Sequence, residues 1–281
     1  MPEPPTVGSL LRTALAGVPA DRQRDVEWLL AHVLGLDRAG LRRERDAVVA
    51  GTEIKRWQTA LAALRAGQPV AQLLGQWEFW SLDLEVNEHV LIPRADTECL
   101  VEVGLELARA APAGPIVDLG TGSGAVAISL ARELPDRTVL AIERAAAAMA
   151  VAQRNVARLA PGRVWLARGS WLAALGDGRC AVIVSNPPYV TDDDPGLAED
   201  GPLRFEPRSA LAAGPDGLDD LRTIAAQAPG RLLPGGWLAL EHGAVQGAAV
   251  RGLLAQEGFE NVDTRHDLAG HERVTFGRRP G

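Results

Sequence analysis

The tetrapeptide Asn186-Pro187-Pro188-Tyr189 contains the residue types that most directly suggest chemistry. Its two prolines fix φ and remove two backbone donors, so we expect carbonyl oxygens of this turn to stay unpaired and to face outward. The Asn186 side-chain oxygen and the Pro187 carbonyl can then accept both hydrogens of a planar NH2 group, on which Tyr189 can stack. Such a turn would orient the nitrogen of an amide or arylamine and stabilise the charge that it gains when it is methylated.

A second chemical signal is the glycine-rich loop Gly120-Thr121-Gly122-Ser123-Gly124, which follows the acidic strand end Asp118-Leu119. Glycines allow a tight turn and let a ligand approach the backbone amides closely. The spacing is G-x-G-x-G after an Asp, whereas the dinucleotide fingerprint is G-x-G-x-x-G. The loop resembles that of S-adenosylmethionine-dependent methyltransferases. A tight βα turn without a ligand and a dinucleotide site are the alternatives that this loop alone leaves open.

Two further residues follow predicted strands and suit a nucleoside ligand. Glu143 lies 23 positions after Gly120 and can accept hydrogen bonds from both ribose hydroxyls, although NAD-binding folds use a carboxylate at the same position. Trp171 can cover an adenine face, and a buried structural role is its alternative. The sequence shows no general base with a tuned pKa, and this chemistry needs none. Positioning of the reacting atoms, worth up to about 7–11 kcal/mol, is therefore expected to dominate catalysis.

Hydrophobic periodicity predicts the elements that position these motifs. Residues 4–72 have apolar side chains at helical spacing and predict a small helical bundle. Residues 75–92 alternate with period two and predict a β-hairpin that joins two domains. From Pro115 onward, continuously apolar strands alternate with helices, which indicates a parallel sheet covered on both faces. The predicted strands are 116–119, 139–142, 164–167, 182–185 and 237–241 with a terminal pair at 262–264 and 273–277, and the predicted helices are 97–110, 125–133 and 145–159.

These elements define an α/β fold class with a doubly wound, Rossmann-like sheet, whose ligands should lie beyond the carboxyl ends of the strands. We assign residues 1–74 to the helical N-terminal domain, 75–92 to the hairpin and 93–281 to the catalytic domain. We expect Asp96 or Thr97 to cap the helix that begins the catalytic domain. Glu241 and His242 resemble an acid–base pair, but adjacent strand residues point to opposite faces, so we assign them structural roles.

Composition excludes several functional classes. The chain has 281 residues, of which 47% are hydrophobic and 23% charged, as in ordinary globular proteins of about two domains. A net charge of −7 argues against direct binding of nucleic acid. Cys99 and Cys180 lack metal-ligand or disulfide spacing, and we expect no metal. Without an export signal or a long apolar segment, we expect a cytoplasmic monomer that does not bind membranes.

With these motifs in place, the chain resembles the release-factor glutamine N5-methyltransferases, the PrmC/HemK family. VDLGTGSGAVAISLA (117–131) and IVSNPPYV (183–190) match its central motifs. The first motif is shared with many methyltransferases and the second with adenine-N6 DNA methyltransferases. Segments outside them are more specific and extend the resemblance over the chain: RDVEWLLAHVLGLDR (24–38), GQWEFWSLDLEV (75–86), LIPRADTECLVE (91–102), RFEPRSAL (204–211), LALEHG (238–243) and HERVTFGR (271–278).

The resemblance implies methyl transfer from S-adenosyl-L-methionine to the side-chain amide nitrogen of the glutamine in the GGQ motif of class 1 peptide chain release factors. It leaves S-adenosyl-L-homocysteine as the product cofactor, and the N-terminal domain is expected to recognise the substrate. Two departures are Glu143 in place of the usual Asp, and Ser170 where an Asp often precedes Trp171. The implied cofactor-binding residues are Gly120, Thr121, Gly122, Ser123, Gly124, Glu143, Trp171 and Asn186, and the implied substrate-binding residues are Asn186, Pro187, Pro188, Tyr189, Phe79 and Arg94, with Asn186, Pro187 and Tyr189 catalytic.

Three alternatives stay open at this point. An adenine-N6 DNA methyltransferase would use the same acceptor turn, because adenine also has a planar NH2 group, but a base-flipping enzyme needs basic residues to hold phosphates. A non-catalytic module could keep the cofactor fold and dock on translation factors. An oxidoreductase would bind NAD at the glycine-rich loop. Labelling of release factor but not DNA would exclude the DNA methyltransferase, and binding of S-adenosylhomocysteine but not NAD would exclude the oxidoreductase. Loss of turnover in Asn186→Ala, with cofactor binding retained within a few fold, would exclude the module.

Overall fold

The computed structural model describes residues 4–173 and 175–281 of the chain, so the first three residues of the predicted N-terminal domain lie outside it. The chain forms two compact units, one that ends at Gln76 and one that spans Trp77–Gly281. In the described ranges, no helix combines the length and the apolar character needed to cross a bilayer.

The first unit is a bundle of helices, as its periodicity predicts. Its first helix begins with a capping box, in which Thr6 and Ser9 each accept a backbone N–H with their side chains. Its second helix ends at Gly35, whose φ of 65° closes the last turn. Leu29 and Leu30 are fully buried in the unit's own core. The described helices are α1 Val7–Leu15, α2 Gln23–Leu34, α3 Arg38–Arg43, α4 Gly51–Arg65 and α5 Val70–Leu74.

The second unit combines a hairpin with a large sheet and its covering helices. In the hairpin, Trp80 and Ser81 form the turn with positive φ values of 52° and 56°. Its strands are β1 Gln76–Phe79 and β2 Leu82–Glu85. The remaining strands are β3 Ile116–Leu119, β4 Val139–Glu143, β5 Val164–Arg168, β6 Cys180–Ser185, β7 Leu232–Glu241, β8 Glu260–His266 and β9 Glu272–Arg278, and the helices are α6 Glu98–Ala110, α7 Ala125–Glu133, α8 Ala146–Leu159, α9 Asp219–Arg231 and α10 Gly247–Gln256.

The strand order confirms the predicted doubly wound α/β fold. Within residues 77–173 and 175–281, seven strands pair in the order β5-β4-β3-β6-β7-β9-β8, and only β9 runs antiparallel to its two neighbours. The chain moves from β3 to opposite sides of the sheet at β4 and β6, so the topological switch point lies between β3 and β6. Leu119 pairs with Ser185 there. Gly120 and Asn186 therefore leave the sheet side by side.

Both faces of the sheet are covered, which explains why its strands are continuously apolar. Alternate residues of β3 enter two different cores: Ile116 packs with α6, α7 and α8, and Val117 packs with α9 and α10. Both side chains are fully buried. The helices on each face therefore shield one set of strand side chains from water, as a parallel sheet requires.

The structure differs from the sequence prediction in three elements of the second unit. Strand β7 begins at Leu232, five residues before the predicted start at 237, and these first residues are irregular, beside a register shift between Cys180 and Val182. The periodicity also did not identify α9 or α10. Helix α9 carries Pro229 inside its last turns, and the adjacent Pro and Gly obscure a helical pattern.

Candidate active site

A cavity opens at the carboxyl ends of β3, β4 and β6, where the topology places a ligand. The space at this opening amounts to about 970 Å³ including the open mouth and adjoining solvent. The wall combines the glycine-rich loop, the acceptor turn and the segment before α6. The predicted site residues that line it are Gly120, Thr121, Gly122, Ser123, Glu143, Trp171, Asn186 and Pro188.

Three predicted residues lie beside this wall without lining it. Gly124 is the N-cap of α7, with a φ of 87° that favours glycine. Pro187 is buried within the acceptor turn. Tyr189 packs against the apolar core under the sheet and directs its hydroxyl to Glu241. Its backbone carbonyl accepts a hydrogen bond from the side chain of Gln246 at 3.0 Å, so this carbonyl of the turn is paired, contrary to our expectation.

The two residues that only the resemblance suggested lie further away. Phe79 is 2% exposed inside the hydrophobic core of the second unit and is not among the cavity-lining residues, so its position favours packing. Arg94 forms an ion pair with Glu206, whose carboxylate also accepts the Ile92 N–H at 2.9 Å. Glu206 therefore fixes the backbone of the segment that leads to the cavity.

The glycine-rich loop is held by two carboxylates. Asp118, fully buried at the end of β3, accepts the Thr121 hydroxyl at 2.6 Å and the Ala127 N–H at 3.2 Å. Burial raises the pKa of Asp118 to about 6, although both hydrogen bonds lower it. Glu143 accepts the Gly122 N–H at 3.0 Å with one oxygen and a second backbone N–H with the other. The loop is thus ordered before any ligand binds.

Trp171 covers one end of the loop and is itself anchored. A Cβ on Gly120 would lie 3.2 Å from the indole ring, so another residue would require the ring to shift, and the φ of 68° at Gly120 also favours glycine. The backbone of Trp171 has a φ of 48°, a region that large side chains rarely adopt and that is often found at functional sites. Its indole N–H donates to the Asp220 carboxylate at 3.1 Å. An acidic group therefore contacts Trp171 from α9, although Ser170 replaces the Asp often found before it.

The acceptor turn presents one unpaired oxygen. Asn186 donates its Nδ2 hydrogen to the Thr97 hydroxyl at 3.1 Å. Its Oδ1 atom is buried and has no hydrogen-bond partner among the described residues. Thr97 is the N-cap residue of α6, one of the two that the sequence predicted, but its side chain makes no capping bond and contacts Asn186 instead. A buried oxygen without a partner is costly, and a ligand N–H in the cavity would satisfy it.

Glu241 lies behind this pair in a fully buried position at the end of β7. Its Oε1 accepts the Tyr189 hydroxyl at 3.4 Å, its Oε2 has no hydrogen-bond partner among the described residues, and the nearby Thr97 side chain lowers its pKa. Burial raises the pKa of Glu241 to about 7, although these two side chains and Arg273 lower it. His242 instead bonds Thr275 at 2.7 Å, so the two neighbours have different partners.

The chemistry of the wall fits a nucleoside without phosphates. Two carboxylates, Asp118 and Glu143, and an aromatic ring line the cavity, with Arg144 and His89 as the lining basic groups. Arg144 donates to the Ser209 carbonyl at 3.1 Å. Among residues 4–173 and 175–281, no group of three His, Cys, Asp or Glu is arranged to hold a metal ion. Glu143 can accept from ribose hydroxyls, Trp171 can cover a base, and Asn186 can accept from a substrate N–H.

Two family models match this chain, one in each unit. The PrmC N-terminal domain matches residues 11–75, and the Methyltransferase small domain matches residues 97–199. A solved methyltransferase from Pyrococcus furiosus, 17% identical, has a TM-score of 0.55 and covers 80% of this chain and 100% of its own. That similarity supports the fold alone.

Two relatives align over almost their full lengths. The release factor glutamine methyltransferase of Pseudomonas aeruginosa is 48% identical over 97% of this chain and 98% of its own. The protein of the same name from Burkholderia pseudomallei is 46% identical over 100% of this chain and 98% of its own. The similarity therefore includes both units and the site.

Proposed function

The chain belongs to the family of release factor glutamine methyltransferases, and from this premise we propose that it methylates the N5 side-chain amide nitrogen of the GGQ glutamine in class 1 peptide chain release factors. The observation that supports this most is the buried, unpaired Asn186 Oδ1 beside the glycine-rich loop. Because release factors act in translation, the cytoplasm is the compartment that this function requires.

S-adenosyl-L-methionine would supply an electrophilic methyl group on a sulfonium sulfur. We propose that Gly120, Thr121, Gly122, Ser123 and Gly124 form its cradle, with Glu143 on the ribose and Trp171 on the adenine. Neither oxygen of Glu143 is fully occupied, because a carboxylate oxygen can accept two hydrogen bonds and each has one backbone partner. Glu143 can therefore hold the loop and bind ribose at the same time. Asn186 would border the cofactor and the substrate.

For the substrate, we propose that Asn186 Oδ1 and the Pro187 carbonyl accept the two amide hydrogens of glutamine. An amide nitrogen is a weak nucleophile because its lone pair is delocalised. Two acceptors orient it and stabilise the positive charge that it gains, by about 1–3 kcal/mol for each bond to the charged group. Pro188 and Tyr189 keep this turn rigid, and Arg94 keeps the adjacent segment in place through Glu206.

The N-terminal unit is proposed to recognise the body of the release factor. It contains its own buried core, and its residues are absent from the described cavity wall. A role in recognition outside the reaction site fits this separation.

The alternatives are not favoured. Aligned relatives act on glutamine by name rather than on DNA, and the net charge of −7 does not suit a phosphate backbone. These same relatives are methyltransferases by name, which does not favour an NAD-dependent oxidoreductase or a module without activity.

The direct test combines the protein with methyl-labelled S-adenosylmethionine and unmodified release factor, followed by peptide mass spectrometry. We expect one added methyl group on the GGQ glutamine and none on adenine of duplex DNA at low salt. Label on DNA, or on release factor at another residue, would contradict the proposal.

A matched variant distinguishes an enzyme from a binding module. Asn186→Ala removes the unpaired acceptor and is expected to lower kcat by at least about 100-fold, as loss of one such acceptor in a preorganised site does. Binding of S-adenosylhomocysteine, measured by calorimetry, should stay within a few fold of wild type. Activity that survives this substitution would show that Asn186 is not the acceptor.

A further inference from the structure

Asn186 can serve as an acceptor only if its side-chain amide is oriented with oxygen toward the substrate. The two orientations of an amide differ by a rotation that exchanges Oδ1 and Nδ2, and the shape of the group hardly changes. In the opposite orientation, an NH2 group would face the NH2 group of glutamine and bind it poorly. Something on the far side of Asn186 must therefore select the orientation.

Two side chains behind the acceptor turn provide this selection. Asn186 Nδ2 donates to Thr97 Oγ1 at 3.1 Å, and the Thr97 hydroxyl lies close enough to the Glu241 carboxyl to lower its pKa. When Glu241 is ionised, which its pKa of about 7 makes the main state above neutral pH, its carboxylate can only accept and takes the single hydroxyl hydrogen of Thr97. The Thr97 oxygen can then only accept from Asn186, and it discriminates NH2 from oxygen. The variants below are therefore compared at about pH 8.5, above this pKa.

Burial makes the selection effective. Thr97 is 4% exposed and Glu241 is 0% exposed, so water does not offer alternative partners to either group. The Tyr189 hydroxyl also donates to Glu241, at 3.4 Å, which supports the acceptor state of the carboxylate. With Nδ2 bonded to Thr97, the opposite atom of the Asn186 amide, Oδ1, is buried without a hydrogen-bond partner among the described residues.

We propose that Glu241 and Thr97 are positioning residues, which act through Asn186 to hold its Oδ1 toward the glutamine amide. We call these three residues the orienting chain. The inference rests on the proposed function and extends it to two residues that do not contact the reacting atoms. It assigns a role to Glu241, which sequence analysis considered structural, and to Thr97, which it considered a helix cap.

The test compares Thr97→Val, which keeps the shape and removes the hydroxyl, with Thr97→Ser, which keeps the hydroxyl. Thr97→Val should lower kcat/KM at least about tenfold, the factor that one net hydrogen bond represents. Its binding of a GGQ peptide in the presence of saturating S-adenosylhomocysteine should weaken in parallel, as calorimetry can measure. Thr97→Ser should restore both values, and S-adenosylhomocysteine alone should bind all variants as it binds wild type.

Thr275→Val is the matched control. Thr275 on β9 is also buried, and its hydroxyl bonds His242 and Thr264, which lie outside the orienting chain. It should keep wild-type kcat/KM. Equal losses in Thr97→Val and Thr275→Val, or wild-type activity in Thr97→Val, would overturn the inference.

Glu241→Gln provides the second test if Thr97→Val unfolds. Glutamine keeps the length but can donate, so Thr97 can turn its hydrogen toward Asn186 and both amide orientations become populated. We expect reduced kcat/KM and weaker peptide binding with unchanged binding of S-adenosylhomocysteine; wild-type values for both would overturn the inference. A wild-type protein that does not methylate release factor would instead contradict the proposed function, so the two failures are distinguishable.

Discussion

At the scale of single residues, the Asp220 carboxylate determines where the Trp171 ring rests. Its 3.1 Å hydrogen bond from the indole N–H spans from α9 to the loop after β5. Without it, the ring would be held by packing alone, against Gly120 and the adjacent apolar core. If the ring had to become ordered when the cofactor binds, the lost conformational freedom would weaken the binding.

Asp220→Ala is therefore expected to weaken S-adenosylhomocysteine binding about three- to tenfold, the range of one net hydrogen bond. Asp220→Asn keeps an acceptor oxygen and should bind nearly as wild type does. Calorimetry on both variants measures the difference. Unchanged affinity in Asp220→Ala would mean that packing, rather than the carboxylate, holds the ring.

Glu241 links stability to pH. Burial raises its pKa from 4.5 to about 7, so the folded state binds its proton more tightly than the unfolded state does. The stabilisation from this proton is complete below about pH 4.5 and is lost as pH rises through about 7. The groups that face the carboxyl are Asp96, Thr97, Cys99, Tyr189 and Arg273.

Glu241→Gln should remove this dependence, because an amide does not titrate. The free energy of unfolding of wild type minus that of the variant is expected to fall between pH 5 and pH 8, a range chosen to include the transition near 7. Urea denaturation at several pH values measures it. Asp118, whose pKa burial raises to about 6, is present in both proteins and cancels from the difference. A difference that is constant with pH would contradict the prediction.

At the scale of elements, Asn155 on α8 joins the hairpin to the glycine-rich loop. It is fully buried, and its Oδ1 accepts the Glu85 N–H of β2 at 2.7 Å. Its Nδ2 donates to the carbonyls of Glu85 and Ser123, both at 2.9 Å. One amide thus satisfies backbone groups of two segments that are distant in sequence.

Asn155→Ala should lower the free energy of unfolding by about 3 kcal/mol, since it leaves several buried backbone groups unpaired. The control is Ser129→Ala on α7, where a fully buried hydroxyl bonds only the Ala125 carbonyl of its own helix. That change should cost about 1 kcal/mol, because the Ala125 carbonyl keeps its helical partner. Chemical denaturation compares them, and equal losses would show that Asn155 does not join the segments.

At the scale of the whole molecule, the residues that line the described cavity, where we propose that the cofactor binds, belong to the second unit. The residues that line the described cavity extend from His89 to Ala210. The first unit has a separate buried core, with Leu29 and Leu30 at 0% exposure. Cofactor binding and recognition of the release factor should therefore be separable by deletion.

A variant that begins at residue 77 is expected to bind S-adenosylhomocysteine as the full chain does. Its kcat/KM for intact release factor should fall by more than about tenfold, the effect of about 1.4 kcal/mol of lost binding, because the first unit is removed. A GGQ peptide serves as the control substrate, since it lacks the body of the release factor that the first unit is proposed to recognise, and it should be methylated equally by both proteins. Equal activity on intact release factor would exclude a recognition role for the first unit.

The sequence alone determined the features that depend on neighbouring residues along the chain. Runs of apolar residues predicted β3, β4 and β6, and the doubly wound fold is confirmed. The glycine-rich loop and the acceptor turn each directly follow a strand. Since parallel strands end at one edge of a sheet, their adjacency could be expected before any coordinates.

Only the tertiary structure revealed the side chains that support those motifs from distant segments. Thr97 contacts Asn186 across 89 positions of sequence, and Trp171 contacts Asp220 across 49. Thr97 precedes a helix, and Glu241 ends a strand, so local patterns indicated a cap and a structural group. Phe79 was predicted to bind substrate because its segment resembles one that flanks the family's pocket, but the hairpin places it in the core. Periodicity reports which face of an element is buried, whereas the hydrogen-bond partner of a buried polar group is determined by the packing of several elements together.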